Sequence, residues 1–440
     1  MRYIPNMSDD RREMLAAIGV SSIEELFADI PDSLKERFQP LGLPARSEME
    51  VASVLGAMAD RNESADVVCL LGGGIYDHYV PSIVGHLLSR SEFSTAYTPY
   101  QPEISQGTLT TMFEFQTFVC ELTGMEIANA SMYDGATALA EAVLMAERIR
   151  KKGAVAVPRS LSSHLRRVLD TYCWATDIEI HEIPYKANGT VELAPLPEEL
   201  SAVVIQTPNA FGVIESLAGL KDRMGEVLLI VSCHPLSLGL LQPPGAFGAD
   251  IVVAEGQSLG LSMGYGGPLL GLFATRKGYL RQMPGRVSGR TVDADGNTGY
   301  AMAAQTREQH IRRQRATSNI CTNSALCALA ATIYLASAGA AGLRQVAELN
   351  LEKAHYLADG ITTIDGYELA FSGAFFNEFV LNVPGDAAVI HDRLVQAGFA
   401  VEAPDDLRSM GLENALRLAV TEKRTRDELD RLIQVLGGIR

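Results

Sequence analysis

The residues best suited to chemistry lie in five glycine-rich or polar stretches. Residues 255–268 read EGQSLGLSMGYGGP, with five glycines and no charge after Glu255. Such a loop, placed between strand-like runs, lets backbone approach a ligand closely and would suit a catalytic loop, a phosphate cradle or the remains of one. LGGGIYDHYVPSIV (71–84) carries three consecutive glycines but matches neither GxGxxG nor a P-loop, so a tight turn is expected there. STAYTPYQPEISQGTLTT (94–111) crowds Tyr97, Thr98, Tyr100, Gln101, Glu103 and Gln106 around two prolines. The prolines favour an extended loop, whose hydroxyls and amides could orient a small polar substrate. In ASMYDGATALAEA (130–142), Asp134, Gly135 and Thr137 suit an anion site at a helix N-terminus and a plain N-cap equally. TREQHIRRQRATSNICTN (306–323) offers Arg307, Arg312, Arg313 and Arg315, either for an anion or as a charged helix face. Thr317, Ser318 and Asn319 follow them on a turn and read as ligand contacts.

Composition narrows the chemistry. The net charge is −16, with 37 Lys and Arg against 53 Asp and Glu, which argues against nucleic acid as a partner. The eight histidines show no HxxxH or HExxH spacing, so no metal site is expected. The six cysteines form no CxxC pair and read as reduced thiols. The N-terminal MRYIPNMSDDRREML is charged and lacks an apolar core, so neither a signal peptide nor a membrane span is expected, no stretch approaching about 18 apolar residues. A cytoplasmic protein, or one of a matrix-like compartment, is the corresponding expectation.

These loops need a scaffold, and the hydrophobic pattern supplies one. Residues 1–65 read as an amphipathic helical arm, with Ser8 as N-cap of SDDRREMLAAIG and Ser21 or Ser22 opening a second helix before Glu24 and Glu25; the arm would pack on a neighbour or on its own large domain. Strand-like runs then alternate with helices: 67–72, 154–158, 202–207, 227–233, 250–254 and 269–274. Continuous apolar strands separated by helices predict a mainly parallel α/β domain over 66–325, buried on both faces. A small α+β domain is expected over 326–440, after a long helical stretch. Ligands in such sheets bind outside the carboxyl ends of the strands.

Taken together, RYIPNMSDDRREML, LGGGIYDHYVP, AYTPYQPEISQGTL, MYDGATALAEA, QTPNAFGVIE, GYGGPLLGLFA, PGRVSGRTVDADGN and QTREQHIRRQRATSNICTN resemble, in the same order, the first subunit of two-subunit glycine decarboxylases, the P-protein family. The resemblance covers essentially the whole chain. It implies the fold type I PLP-dependent transferase (aminotransferase-like) architecture. It also implies glycine decarboxylation with transfer of the aminomethyl group to the lipoyl-lysine arm of the H-protein, PLP acting as electron sink.

The chain departs from an independent PLP enzyme at two positions. Counting back from GYGGP by the interval the PLP-carrying subunit uses before GGGGP places Gln257 where the Schiff-base lysine belongs. No lysine occurs over 222–276, and Lys277 is expected to face solvent. Cys233 and His234 stand where a DxA or DxH pattern would supply the acidic partner of the cofactor ring. The resemblance therefore implies PLP held covalently by subunit 2 and not by this chain, in an (αβ)2 heterotetramer. Thr317, Ser318 and Asn319 would reach the phosphate of that PLP, and Tyr97, Thr98, Tyr100 and Gln101 would approach glycine or cofactor. A stand-alone PLP lyase or aminotransferase is opposed by Gln257, whereas a scaffold contributing no site residue stays open.

Overall fold

The computed structural model describes residues 6–39, 41–62, 67–94, 97–193 and 196–439. The chain divides into two units, 1–65 and 66–440, and the break falls at residues 63–66, outside the described ones. The first unit carries helices α1 (Ser8–Ile18), α2 (Asp32–Lys35) and α3 (Glu48–Ala59), none of which has a buried residue. Asp10 accepts from the Met7 backbone N–H at 2.7 Å, so Met7, not Ser8, caps α1. The helix expected after Ser21 is only a 3-10 turn, Glu24–Phe27, although Ser21 does bond Glu25.

The second unit runs β1 (Val68–Cys69), α4 (Ser82–Leu88), α5 (Gln106–Thr123), β2 (Ile127–Ala128), α6 (Gly135–Arg150), β3 (Ala154–Pro158), α7 (Ser163–Ala175) and β4 (Glu179–Ile183). It continues through β5 (Ala202–Thr207), α8 (Leu220–Met224), β6 (Leu228–Cys233), β7 (Ile251–Glu255), β8 (Gly271–Thr275), β9 (Val287–Val292), β10 (Thr298–Ala303), α9 (Gln309–Arg312) and α10 (Ala325–Thr362). It closes with β11 (Glu368–Leu369), β12 (Glu378–Asn382), α11 (Ala387–Gln396), β13 (Phe399–Ala400), α12 (Asp405–Ser409), β14 (Ala415–Ala419) and α13 (Arg426–Gly438).

Among the described residues, seven strands form the main sheet in the order β2-β8-β7-β6-β5-β3-β4. The pairs from β4 through β3, β5 and β6 to β7 are parallel, while β8 runs antiparallel to β7 and β2. Alternate residues of one strand enter opposite cores, as the period of two requires: Val203 and Ile205 pack with α5 and the first half of α10, Ala202 and Val204 with α6 and α7. Both faces are covered, which explains the unbroken apolar runs.

The run at 67–72 behaves differently from expectation. Its strand β1 pairs in parallel with β13, and Ala419 of β14 donates to the Leu70 carbonyl at 3.0 Å. It thus joins the C-terminal β-structure rather than the main sheet. An apolar pentapeptide specifies burial but not which edge receives it. The apolar window of α10 also exceeds expectation, since by length and composition it could cross a bilayer; 56% of that window is buried, and Ala330 and Ala331 lie in the protein core.

Candidate functional site

The carboxyl ends of β6 and β7 bring His234, Glu255 and Gln257 together. Gln257 is 0% exposed. Its Nε2 donates to the carbonyls of Tyr76 (3.1 Å) and Leu261 (2.7 Å), and its Oε1 accepts from the Tyr76 N–H at 3.1 Å. The amide is thereby consumed within the chain. Tyr76, from the triple-glycine loop, stacks on the His234 ring with centroids 4.7 Å apart and donates its hydroxyl to Glu378 at 3.1 Å. Burial, then the neighbouring His78, hold His234 well below the usual imidazole value, so its ring is neutral.

Glu255 fills the amide cradle at the start of α6. Its carboxylate accepts from the backbone N–H groups of Gly135 (2.8 Å), Gln257 (3.0 Å) and Leu270 (3.0 Å). Burial nevertheless pushes this carboxyl up to about 7. Asp134 caps the same helix by accepting from the Thr137 N–H at 2.7 Å. The two alternatives for residues 134–137 are resolved: the N-cap is real, and a carboxylate of the chain itself sits where an external anion would bind.

Pyridoxal phosphate needs an amine, free amide donors for its phosphate and an anionic partner for the ring nitrogen. Here the three positions hold a buried amide, a glutamate and a neutral histidine, and an aromatic side chain stacks among them. The residues do not fit the cofactor. Lys277 is exposed, as expected, and Lys221 is committed to Asp250 at 2.7 Å.

The polar loop is organised by a residue that sequence reasoning did not single out. Arg286 donates to the Thr98 hydroxyl through Nη1 and to the Tyr100 hydroxyl through Nη2, both at 3.0 Å. Tyr97 is 86% exposed, and Gln101 is exposed at the start of a 3-10 turn, Pro102–Ile104. Thr95 and Ala96 of the same stretch lie outside the described residues. The only signal for Arg286 was a charge in PGRV, immediately before an apolar residue.

The second group meets the first through residues 305–317. Glu308 lies 3.6 Å from Arg286 Nε, the Tyr100 ring packs edge-on against His310, and the Thr317 N–H donates to the Arg307 carbonyl at 2.9 Å. Ser318 bonds Glu141, a carboxyl on α6 that burial raises, and Asn319 is exposed. Arg307 is not an anion contact: it is buried, and its guanidinium is spent on the carbonyls of Ala304, Met283 and Gly285. Beyond the turn, the Tyr133 hydroxyl accepts from the Cys321 N–H at 3.2 Å, linking this segment to the start of α6. Thr98 and Tyr100 are thus linked through Arg286, Glu308 and His310 to the segment that leads to Thr317, while Gln257 and Tyr76 fill the end of the sheet. Among the described residues no group of His, Cys, Asp and Glu could hold a metal.

The profile of the glycine cleavage system P-protein family matches residues 1–436. The chain belongs to this family. A probable glycine dehydrogenase (decarboxylating) subunit 1 of Carboxydothermus hydrogenoformans is 49% identical over 453 residues, covering 100% of both chains. A crystal structure of glycine decarboxylase (P-protein) of the glycine cleavage system, in inhibitor-bound form, matches with TM-score 0.91 and 42% identity over 100% of both chains. Glutamate decarboxylase of Lactobacillus brevis shares the fold alone, at TM-score 0.67 and 13% identity over 95% of this chain and 96% of that one. The P-protein family and these neighbours place the architecture among fold type I PLP-dependent transferases, as the resemblance implied.

Proposed function

We propose that this chain is the non-PLP-carrying subunit of a two-subunit glycine decarboxylase. With a second subunit that holds the cofactor, in an (αβ)2 heterotetramer, it releases CO2 from glycine and supports passage of the aminomethyl group to the lipoyl-lysine arm of the H-protein. The observation that carries this reading is Gln257, which cannot form a Schiff base and whose amide is already taken by Tyr76 and Leu261. The 49% identity to a chain named subunit 1 supports the partnership. A cytoplasmic setting follows from the same reading.

In this arrangement the chain supplies polar groups rather than the electron sink. Thr317, Ser318 and Asn319 offer small donors toward the phosphate of the cofactor held by subunit 2. Tyr97, Thr98, Tyr100 and Gln101 present hydroxyl and amide groups toward glycine and orient it. The scaffold reading differs in giving these residues no role.

The test is glycine-dependent exchange of labelled CO2 in the co-expressed complex. Tyr97→Phe and Thr98→Val are each expected to lower exchange about tenfold or more, the range for loss of one positioned polar contact. Unchanged exchange in both variants removes the loop from the site and leaves the scaffold. Separately, the isolated chain treated with PLP and borohydride is expected to yield no adduct on a specific lysine. A specific adduct sinks the partner-held cofactor.

A further inference from the structure

Among the described residues of the second unit four arginines are buried, and they are used in different ways; Arg424 reaches Asp77 at 3.1 Å. Arg417 faces carboxylates: Nε and Nη2 reach Glu402 at 2.7 and 2.6 Å, and Nη2 reaches Asp406 at 2.8 Å. Arg307 is satisfied by three carbonyls. Arg286, 2% exposed, does neither. Both of its terminal nitrogens go to neutral hydroxyls, those of Thr98 and Tyr100. Its carboxylate, Glu308, stands at 3.6 Å, and both Arg286 Nε and Glu308 Oε1 are buried without a hydrogen-bond partner. A buried cation placed for fold stability alone closes its fork on carboxylates or carbonyls, as Arg417 and Arg307 do.

The backbone at Arg286 is correspondingly fixed. Its carbonyl accepts from the Ala130 N–H at 2.7 Å, and Asn129 Nδ2 donates to the Pro284 carbonyl at 3.0 Å. A Cβ on Gly285, whose φ is +76°, would come within 2.7 Å of that same amide nitrogen. Next to Ala130, the fully buried Ser131 holds φ 117°, a strained value for a residue with a side chain. The other end of the contact is lightly held: among the described residues, apart from the adjacent Ile104 N–H donating to the Gln101 carbonyl at 3.4 Å, the hydrogen bonds tying 97–101 to the rest of the chain are the two from Arg286.

A guanidinium only donates, so Thr98 and Tyr100 accept from it and their own O–H protons are left to donate outward. Polarisation by the cation strengthens that donation. We infer that Arg286, backed by Glu308, is a positioning residue that holds the 97–101 loop and sets the Thr98 and Tyr100 hydroxyls as donors for the carboxylate of glycine. This rests on the reading that the loop faces glycine.

Two measurements separate the inference from that reading. In the isolated chain, Arg286→Lys keeps the charge but cannot hold both hydroxyls, and deuterium uptake by a peptide spanning 97–105 is expected to rise while the urea midpoint stays close to wild type. In the complex, Arg286→Lys is expected to raise KM for glycine in CO2 exchange about tenfold, with Arg286→Gln worse. The Thr98→Val/Tyr100→Phe double variant should do the same, and adding Arg286→Lys to it should cost less than about twofold more, since coupled residues are non-additive. Unchanged uptake in the isolated chain overturns the positioning role whatever the loop faces. Raised uptake with unchanged KM overturns the link to glycine, and with it the loop's part in the proposed function. Fully multiplicative losses in the triple variant overturn the inference by showing that Arg286 acts other than through the two hydroxyls.

Discussion

Gln257 and Tyr76 bind each other through both faces of one amide: the side-chain nitrogen donates to the tyrosine carbonyl and the side-chain oxygen accepts from the tyrosine N–H, each at 3.1 Å. The pair closes the loop at 72–79 over the end of the main sheet, and the Tyr76 ring lies on His234. A position that could hold a reactive amine is here a structural clasp.

Restoring the amine should therefore not restore cofactor binding. Gln257→Lys puts a cation in a fully buried place and leaves the Tyr76 N–H without its acceptor. We expect a loss of about 3 kcal/mol or more, from an unpaired charge and an orphaned donor, and no borohydride-stable PLP adduct at position 257. Urea unfolding and mass spectrometry check both; a stable protein with a specific adduct at 257 would refute the clasp.

Glu255 should leave a signature in the pH dependence of stability. Its carboxyl is raised from 4.5 to about 7 by burial, against the lowering effect of three backbone N–H groups. The folded state then binds this proton more tightly than the unfolded state. Its contribution is full below about pH 4.5 and is lost as pH rises through 7. Glu255→Gln cannot ionise, so relative to wild type it should gain about 3 kcal/mol across that window, on top of a constant offset. Parallel denaturation curves at pH 5 and pH 8 measure the difference, and an identical change at both would discount the burial argument.

Arg417 is the counter-charge of a buried acidic group. Glu378 lies 3.6 Å from it, and Glu402 and Asp406 lie closer. Arg417→Met leaves Glu378 buried without its cation, so about 3–5 kcal/mol should be lost. Denaturant midpoints test this; a loss under about 1 kcal/mol would mean water reaches the cluster.

The glycines of the 255–268 loop and of the core should respond differently. At Gly212, φ is +78° and a Cβ would overlap the Glu378 carbonyl, so Gly212→Ala should cost more than about 2 kcal/mol. At Gly267 a Cβ meets nothing within 4 Å, so Gly267→Ala should leave the isolated chain within about 0.5 kcal/mol of wild type. If the glycine-rich segment at 264–268 packs against subunit 2, the same substitution lowers CO2 exchange in the complex. Full exchange would remove that segment from the interface.

Much of the scaffold was legible in order and type. The runs at 154–158 and 202–207 are strands with those limits, because burial on both faces makes AVAVP and the AVVI of AVVIQT continuously apolar. β4, with Glu179, His181 and Glu182 on a sheet edge, went unnoticed since its pattern is not continuously apolar. The β9–β10 hairpin was missed too, with VSGRTV and TGYAMA offering little apolar alternation. At the site, Gln257 could be placed by counting from GYGGP, whereas Arg286 could not. Its partners Thr98 and Tyr100 are 188 and 186 residues away, and no local periodicity records such a contact.

The amino-acid sequence by itself determined the α/β class, the family and the absence of an amine at position 257, because each is a property of residue type and spacing. Tertiary structure decided what became of the vacated chemistry. Only folding brings the carboxylate of Glu255 onto the Gly135 amide, the Tyr76 ring onto His234 and the Arg286 guanidinium onto two hydroxyls of a distant loop. Hydrogen bonds act over about 3 Å, so donors and acceptors far apart in sequence acquire partners only once the strands that carry them are packed.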